Sequence, residues 1–201
     1  MIKAVTFDLD GVYFTPESFI NFKNNLPKLV SDPVLIDDVF YKSEIVKSFR
    51  RGEISEEDFW TYVKKTLGVT LPNDEIFKLL RDSYQINNEV KELVAKVRSL
   101  GIKACICTNN YPTRIRELDK KFSFLSEFDV KVFSYEVGSI KPEPKIFQGL
   151  IEKSGCQPNE IAYADDKEAN VEAAKALGIN AFVFTTFKAF IDQLRLLGLA
   201  I

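Results

Sequence analysis

Two aspartates one residue apart, Asp8 and Asp10, stand in the stretch Thr6-Phe7-Asp8-Leu9-Asp10-Gly11-Val12, near the start of the chain. They follow an apolar run, Ile2 to Phe7, whose β-branched and aromatic residues predict a buried strand. Gly11 punctuates that run, so the strand should end within the acidic pair. Two carboxylates at a buried strand end are costly unless a cation or hydrogen-bond donors compensate them. A turn capped by Asp is one explanation; a divalent metal held by carboxylates, one of which also reacts, is the other.

Composition narrows the chemistry. The chain has 201 residues and no histidine. That removes Ser-His and Cys-His nucleophile activation, His-ligated zinc and imidazole acid–base catalysis together. Any enzyme built on this chain must move protons with carboxylates, lysines or a bound metal. The formal charge of −2 gives no electrostatic reason to expect nucleic acid or an anionic membrane as partner. No apolar run is long enough to span a bilayer and no leader opens the chain, so a cytoplasmic protein, monomer or homodimer, is expected. The 3 cysteines form no CxxC spacing and read as reduced core thiols, with Cys105 and Cys107 on one strand face.

The elements that must position the acids follow from periodicity. Between Phe14 and Tyr84 no strand is convincing. Ser43 to Phe49 reads as helical, Ser55 to Asp58 resembles a capping box leading a helix to Gly68, and Pro72-Asn73-Asp74 opens another. From Asn88 onward helix and strand alternate: a helix to Gly101, strands at Ile102–Cys107, Val130–Tyr135, Glu160–Ala164 and Asn180–Thr185. Helices follow Pro112, start near Pro142 and near Glu168, and close the chain, the last docked on the core. This is the pattern of an α/β fold with a doubly wound parallel sheet and an inserted α-helical cap. The expected division is a core of residues 1–14 and 86–201 with a cap of residues 15–85.

In such a sheet, ligands bind at the carboxyl ends of the strands. Three strands end in polar clusters, Asp8-Leu9-Asp10, Thr108-Asn109-Asn110 and Asp165-Asp166, and Lys141 follows a fourth. Singly, Thr108 reads as a helix cap, the Asn pair as turn chemistry, Lys141 as a surface lysine and Asp165-Asp166 as a cap. Together they crowd one edge of one sheet, whereas caps would fall on both. Acids for a divalent cation, with a hydroxyl and an ammonium for an anion, describe a phosphate-and-magnesium site.

These residues resemble the haloacid dehalogenase-like (HAD) superfamily of hydrolases, in its phosphatase-type branch with a small helical cap between the first and second motifs. Asp8-Leu9-Asp10-Gly11-Val12 looks like the first motif and Thr108-Asn109-Asn110 the second. Lys141, within Gly138-Ser139-Ile140-Lys141-Pro142-Glu143-Pro144, looks like the third, and Tyr163-Ala164-Asp165-Asp166 with Asn170 the fourth. Arg51 to Trp60 is similar to cap sequences of that branch. The resemblance implies a Rossmann-like core and Mg²⁺-dependent hydrolysis of a small phosphorylated metabolite through an aspartyl-phosphate intermediate. Asp8 would be the nucleophile and Asp10 the acid and base. Asp8, the main-chain carbonyl of Asp10 and Asp166 would hold Mg²⁺, with Asp165 nearby or acting through water. Thr108 and Lys141 would bind the phosphoryl oxygens, and Asn109 would orient the substrate or the loop after the first motif. Val12 replaces a frequent Thr and is found in sugar phosphomutases, which keeps that reaction as the alternative; a dehalogenase, for which Asp10 is the wrong residue, and a non-catalytic phosphate binder are weaker ones. A signalling receiver domain shares the acid pair, Thr and Lys but has no such insertion. Tyr41, Phe49, Arg50 and Trp60 of the cap are expected to select the substrate.

Overall fold

The computed structural model describes residues 1–30 and 33–201; Ser31 and Asp32, inside the range expected for the cap, lie outside the described residues. Five parallel strands carry the fold: β1 (Ala4–Phe7), β2 (Lys103–Thr108), β3 (Val130–Phe133), β4 (Ile161–Asp165) and β5 (Asn180–Val183). Their order is β3-β2-β1-β4-β5. Phe7 pairs in register with Ile106 on one side and Ala164 on the other. The central strand β1 is buried along its whole length, which explains its unbroken apolar run.

Between β1 and β2 lie α1 (Pro16–Asn25), α2 (Glu44–Arg50), α3 (Glu56–Leu67), α4 (Asn73–Ser83) and α5 (Asn88–Ser99). The rest follow as α6 (Pro112–Phe122), α7 (Ser134–Val137), α8 (Pro144–Ser154), α9 (Glu168–Ala176) and α10 (Phe187–Leu196). The expected caps are formed: the Ser55 hydroxyl accepts from the Asp58 amide and Gly68 closes α3 in the left-handed conformation.

Several boundaries differ from the sequence reading: β1 ends at Phe7, ahead of the acidic pair rather than within it, and β5 ends at Val183 rather than Thr185. α1 has weak apolar spacing, with only Ser18 and Phe22 buried, so its signal reduces to Pro16 at the first turn. β3 stops at Phe133, and Ser134 to Val137 form one helical turn closed by Gly138. The helix expected near Pro142 begins at Pro144, because Glu143 Oε2 accepts from Ser139 Oγ and the Ile140 amide and holds the preceding segment as a loop.

The core has two sides. On one, Phe7 meets Phe128 and Phe190 edge-to-face at 6.2 and 6.0 Å, which docks α10 as expected. On the other, Cys105 and Cys107 pack with Phe147 and Leu150. All three thiols are free, and burial pushes those of Cys105 and Cys107 up to about 12, so they serve as packing groups. No helix of the described residues is long and apolar enough to cross a membrane.

Candidate active site

The order β3-β2-β1-β4-β5 reverses direction beside β1, and the strand ends at such a switch point leave a crevice. Asp8 emerges there directly after β1, its amide bonded to the Ala164 carbonyl at 3.0 Å. Thr108 ends β2 and Asp165 ends β4. Sheet register alone therefore gathers groups separated by more than a hundred residues.

A buried ammonium ties the strand ends together. Lys141 Nζ lies 2.6 Å from Asp165 Oδ2, 3.0 Å from Asp8 Oδ1 and 3.0 Å from the Cys107 carbonyl. Its side chain is 1% exposed, Asp8 5% and Asp165 0%, so two carboxylates share one counterion away from water. Burial opposes the charge on Lys141, but Asp8 and Asp165 outweigh it and hold the ammonium protonated well above the usual lysine range. Burial likewise opposes the charge on Asp165. Lys141 and the hydrogen bonds around it prevail and bring Asp165 down to about 2.

Asp8 goes the other way. Burial pushes its carboxyl up to about 7 despite Lys141, and Asp165 and Asp10 add to the rise. Oδ1 accepts from the Leu9 amide at 2.7 Å as well as from Lys141. Positive charge beyond Lys141 would favour the ionised, nucleophilic form of Asp8.

The two aspartates after β4 have separate environments. Asp165 is fully engaged: Oδ2 takes Lys141 and the Tyr163 hydroxyl, while Oδ1 accepts from the Lys167 amide at 2.9 Å and Asn170 Nδ2 at 2.8 Å. Asp166 instead faces the cavity with Asp8 and Asp10. Its carboxyl is raised, by burial first. One carboxylate oxygen from each of Asp8, Asp165 and Asp166 lies within 4.8 Å of the others, a hard-oxygen set that suits a small divalent cation. Since the bonds on Asp165 are already committed, Asp8 and Asp166 are the side chains of that set best placed to ligate. Gly11 fits this arrangement: its φ is +79°, and a Cβ there would stand 3.2 Å from the Asp166 carboxylate.

Asn109 lines the cavity, and its amide is committed to the lysine loop. Its Nδ2 donates to the Lys141 carbonyl at 2.9 Å and its Oδ1 accepts from the Lys141 amide at 2.6 Å, so it clamps the lysine loop rather than the loop after Asp10. Thr108 is buried at the end of β2, beside the cavity and outside its lining.

Asp10 brings in residues that the sequence did not single out. Its Oδ1 is ion-paired with Arg114 of α6 and accepts from the Tyr84 hydroxyl at 3.3 Å. Arg114 is 2% exposed and lies over the Tyr84 ring at 4.9 Å. Only helical phase could have revealed Arg114: it falls on the buried face of α6 with Ile115 and Leu118. Of the four cap residues expected to contact substrate, Tyr41 and Arg50 line the cavity. Phe49 and Trp60 instead belong to a buried aromatic cluster; Phe49 stacks on Phe59 at 4.2 Å and Trp60 Nε1 donates to Thr113 Oγ1 at 3.0 Å.

A parallel sheet with acids and a buried lysine at its switch point defines a class of α/β proteins that handle charged ligands there. The chain belongs to one family of that class: residues 2–178 match the haloacid dehalogenase-like hydrolase family. It is 30% identical to rat (Rattus norvegicus) bifunctional epoxide hydrolase 2 over 89% of its own length, and spans 35% of that longer protein. It is 24% identical to D-ribitol-5-phosphate phosphatase of Bacteroides thetaiotaomicron, covering 90% of this chain and 91% of that one. The crystal structure of a HAD family enzyme from the same bacterium, in complex with magnesium and inorganic phosphate, superposes with a TM-score of 0.74 at 24% identity, over 91% of this chain and 94% of that one. At that identity the likeness concerns the fold.

Proposed function

We propose that this protein is a Mg²⁺-dependent phosphomonoester hydrolase acting on a small phosphorylated metabolite through an aspartyl-phosphate on Asp8. The observation that carries the reading is the shared ammonium: Lys141 sits between Asp8 and Asp165 at the strand ends, with Asp166 free to face the same cavity. Asp8, Asp166 and the Asp10 carbonyl would hold the ion, and Asp165 acts behind them by fixing Lys141. The donor set fits a cation: Asp8 and Asp166 both face the cavity, and one carboxylate oxygen of each lies within 4.8 Å of the other, hard-oxygen ligands of the kind Mg²⁺ takes. Bound there, Mg²⁺ supplies charge that lets an anionic nucleophile approach an anionic phosphate.

The steps belong to this chain's side chains. Asp8 attacks phosphorus, the ester P–O bond breaks, and its electron pair leaves on the alcohol oxygen, which takes its proton from Asp10. Asp10 enters this step as the carboxylic acid, released from Arg114. Water then attacks the same phosphorus while Asp10 takes its proton, and cleavage of the acyl-phosphate P–O bond returns Asp8. Lys141 stabilises the phosphoryl oxygens, in a site organised before substrate arrives, and Thr108, buried at the end of β2, is the hydroxyl that would join it. Asn109 contributes by fixing Lys141 through both of its main-chain groups. Arg114 and Tyr84 hold the Asp10 carboxylate in the cavity wall before substrate arrives. The helical segment of residues 15–85 serves as the cap over the cavity, to which Tyr41 and Arg50 contribute walls.

The test is phosphate release from a panel of small phosphomonoesters, with and without Mg²⁺, for wild type and Asp8→Asn. Release that survives either the substitution or removal of the metal refutes the mechanism.

A further inference from the structure

Two arginines reach the cavity from different parts of the chain, Arg50 from the end of α2 and Arg114 from α6. Arg114 has a counterion in Asp10. Arg50 has none among the described residues: its Nη2 donates to the Phe40 carbonyl at 3.0 Å, and its guanidinium lies 5.8 Å from the Tyr41 ring centre. The Nε atoms of both arginines are buried without a hydrogen-bond partner. Burial lowers the affinity of Arg50 for its proton, and the neighbouring charge of Arg114 lowers it further. Two guanidinium groups thus share one carboxylate in a poorly solvated place, a costly arrangement that an arriving anion relieves.

Of the other cations of the cavity, Lys141 is already matched by Asp8 and Asp165, and Lys167 is exposed, so water solvates its ammonium. The surplus sits at Arg50, whose planar fork accepts a carboxylate through paired hydrogen bonds. The cavity holds about 230 Å³, below the usual range for ligand pockets of roughly 300–1,000 Å³. Having to house a phosphoryl group as well, it favours the smaller of the common anions, and Phe19 and Ile20 give it an apolar wall.

We infer that Arg50, supported by Arg114, receives a carboxylate of the substrate, so that the preferred substrates are short phosphorylated carboxylic acids. This inference rests on the phosphomonoesterase reading, but its main test is binding, which separates the two. Titration calorimetry with Mg²⁺ present compares phosphonoacetate with ethylphosphonate, a matched pair that differs by the carboxylate. The expected result is at least tenfold tighter binding of phosphonoacetate by wild type, a ratio that falls toward one in Arg50→Met and is partly kept in Arg50→Lys. Arg50→Lys keeps the charge and guards against a folding defect, which thermal unfolding of each variant also reports. Equal affinities in wild type, or a preference that persists in folded Arg50→Met, overturns the inference. Tighter binding of methylenediphosphonate than of phosphonoacetate overturns the assignment to a carboxylate. Phosphate release from phosphoglycolate against ethyl phosphate reads the other question. A binding preference without any turnover supports the carboxylate receptor and refutes the hydrolase.

Discussion

Replacing Lys141 by methionine removes the one ammonium between Asp8 and Asp165 while keeping the length and much of the bulk of the side chain. Both carboxylates are then left without their shared counterion at 5% and 0% exposure. Breaking a buried ion pair from one side costs about 3–5 kcal/mol. For a chain of this size that is a fall in melting temperature of roughly 6–20 °C. The loss should depend on pH with a definite sign. Without Lys141 the two carboxyls have folded pKa values above their unfolded ones, so their protonated forms favour the fold and stability is lost as pH rises. The gap to wild type is therefore smaller near pH ~5 than near pH ~8, a proton standing in for the ammonium. Urea unfolding in chelator at both pH values measures this, with Asp165→Asn and the double variant completing a cycle. In the Asp165→Asn background one carboxylate instead of two loses its partner, so Lys141→Met should cost less there, by about 1–3 kcal/mol. A Lys141→Met protein within ~1 kcal/mol of wild type, or an equal cost in both backgrounds, refutes the shared-counterion account.

Gly11→Ala places a methyl 3.2 Å from the Asp166 carboxylate at a φ of +79°. It should cost about 1–2 kcal/mol in unfolding and weaken Mg²⁺ affinity measured by calorimetry; affinity equal to wild type would show that Asp166 does not ligate. Asn109→Ala loses both clamps on Lys141, so kcat for phosphate release should fall at least tenfold; an unchanged kcat would make the clamp irrelevant to turnover. Glu117, 2% exposed, is paired with Arg81 of α4 and with Lys120. Burial opposes its charge, but those hydrogen bonds lower its carboxyl. Its contribution is therefore present above the unfolded pKa of about 4.3 and lost as pH falls below it. Thermal unfolding of wild type and Glu117→Gln should show a gap at neutral pH that closes in acid; a gap constant with pH removes the charge argument.

The core was legible because its signals are local. Strand runs of β-branched and aromatic residues, the caps at Ser55 and Gly68, and the order of elements all follow from a few neighbouring residues each. The acids and Lys141 could be placed together because a parallel sheet sends every strand end to one edge, whatever the separation in sequence. Their individual surroundings could not be placed in this way. Asp165 and Asp166 are adjacent and chemically identical, and only the folded loop assigns the first to Lys141, Tyr163 and Asn170 and leaves the second facing the cavity. Asn109 was expected to orient the substrate or the loop after the first motif; it lines the cavity, and only the folded loop shows that its amide bonds both main-chain groups of Lys141.

Cap residues were the least legible, and the reason is physical. An aromatic residue near a site has the same composition signature whether it lines the cavity, like Tyr41, or supports the wall from behind, like Trp60, whose indole is taken by Thr113. Arg114 was hard to read for a related reason: helical phase puts it on the buried face of α6, but nothing in the sequence says which carboxylate it meets there. Its partner is Asp10, 104 positions earlier. That pairing joins α6, the Tyr84 end of α4 and the first motif through a single carboxylate oxygen. The proton carrier of the proposed reaction is thus held by the helix that also bears one of the two cavity arginines. Any anion that reaches Arg50 and Arg114 competes with Asp10 for the second guanidinium, which couples what the cavity binds to where its acid–base group can go.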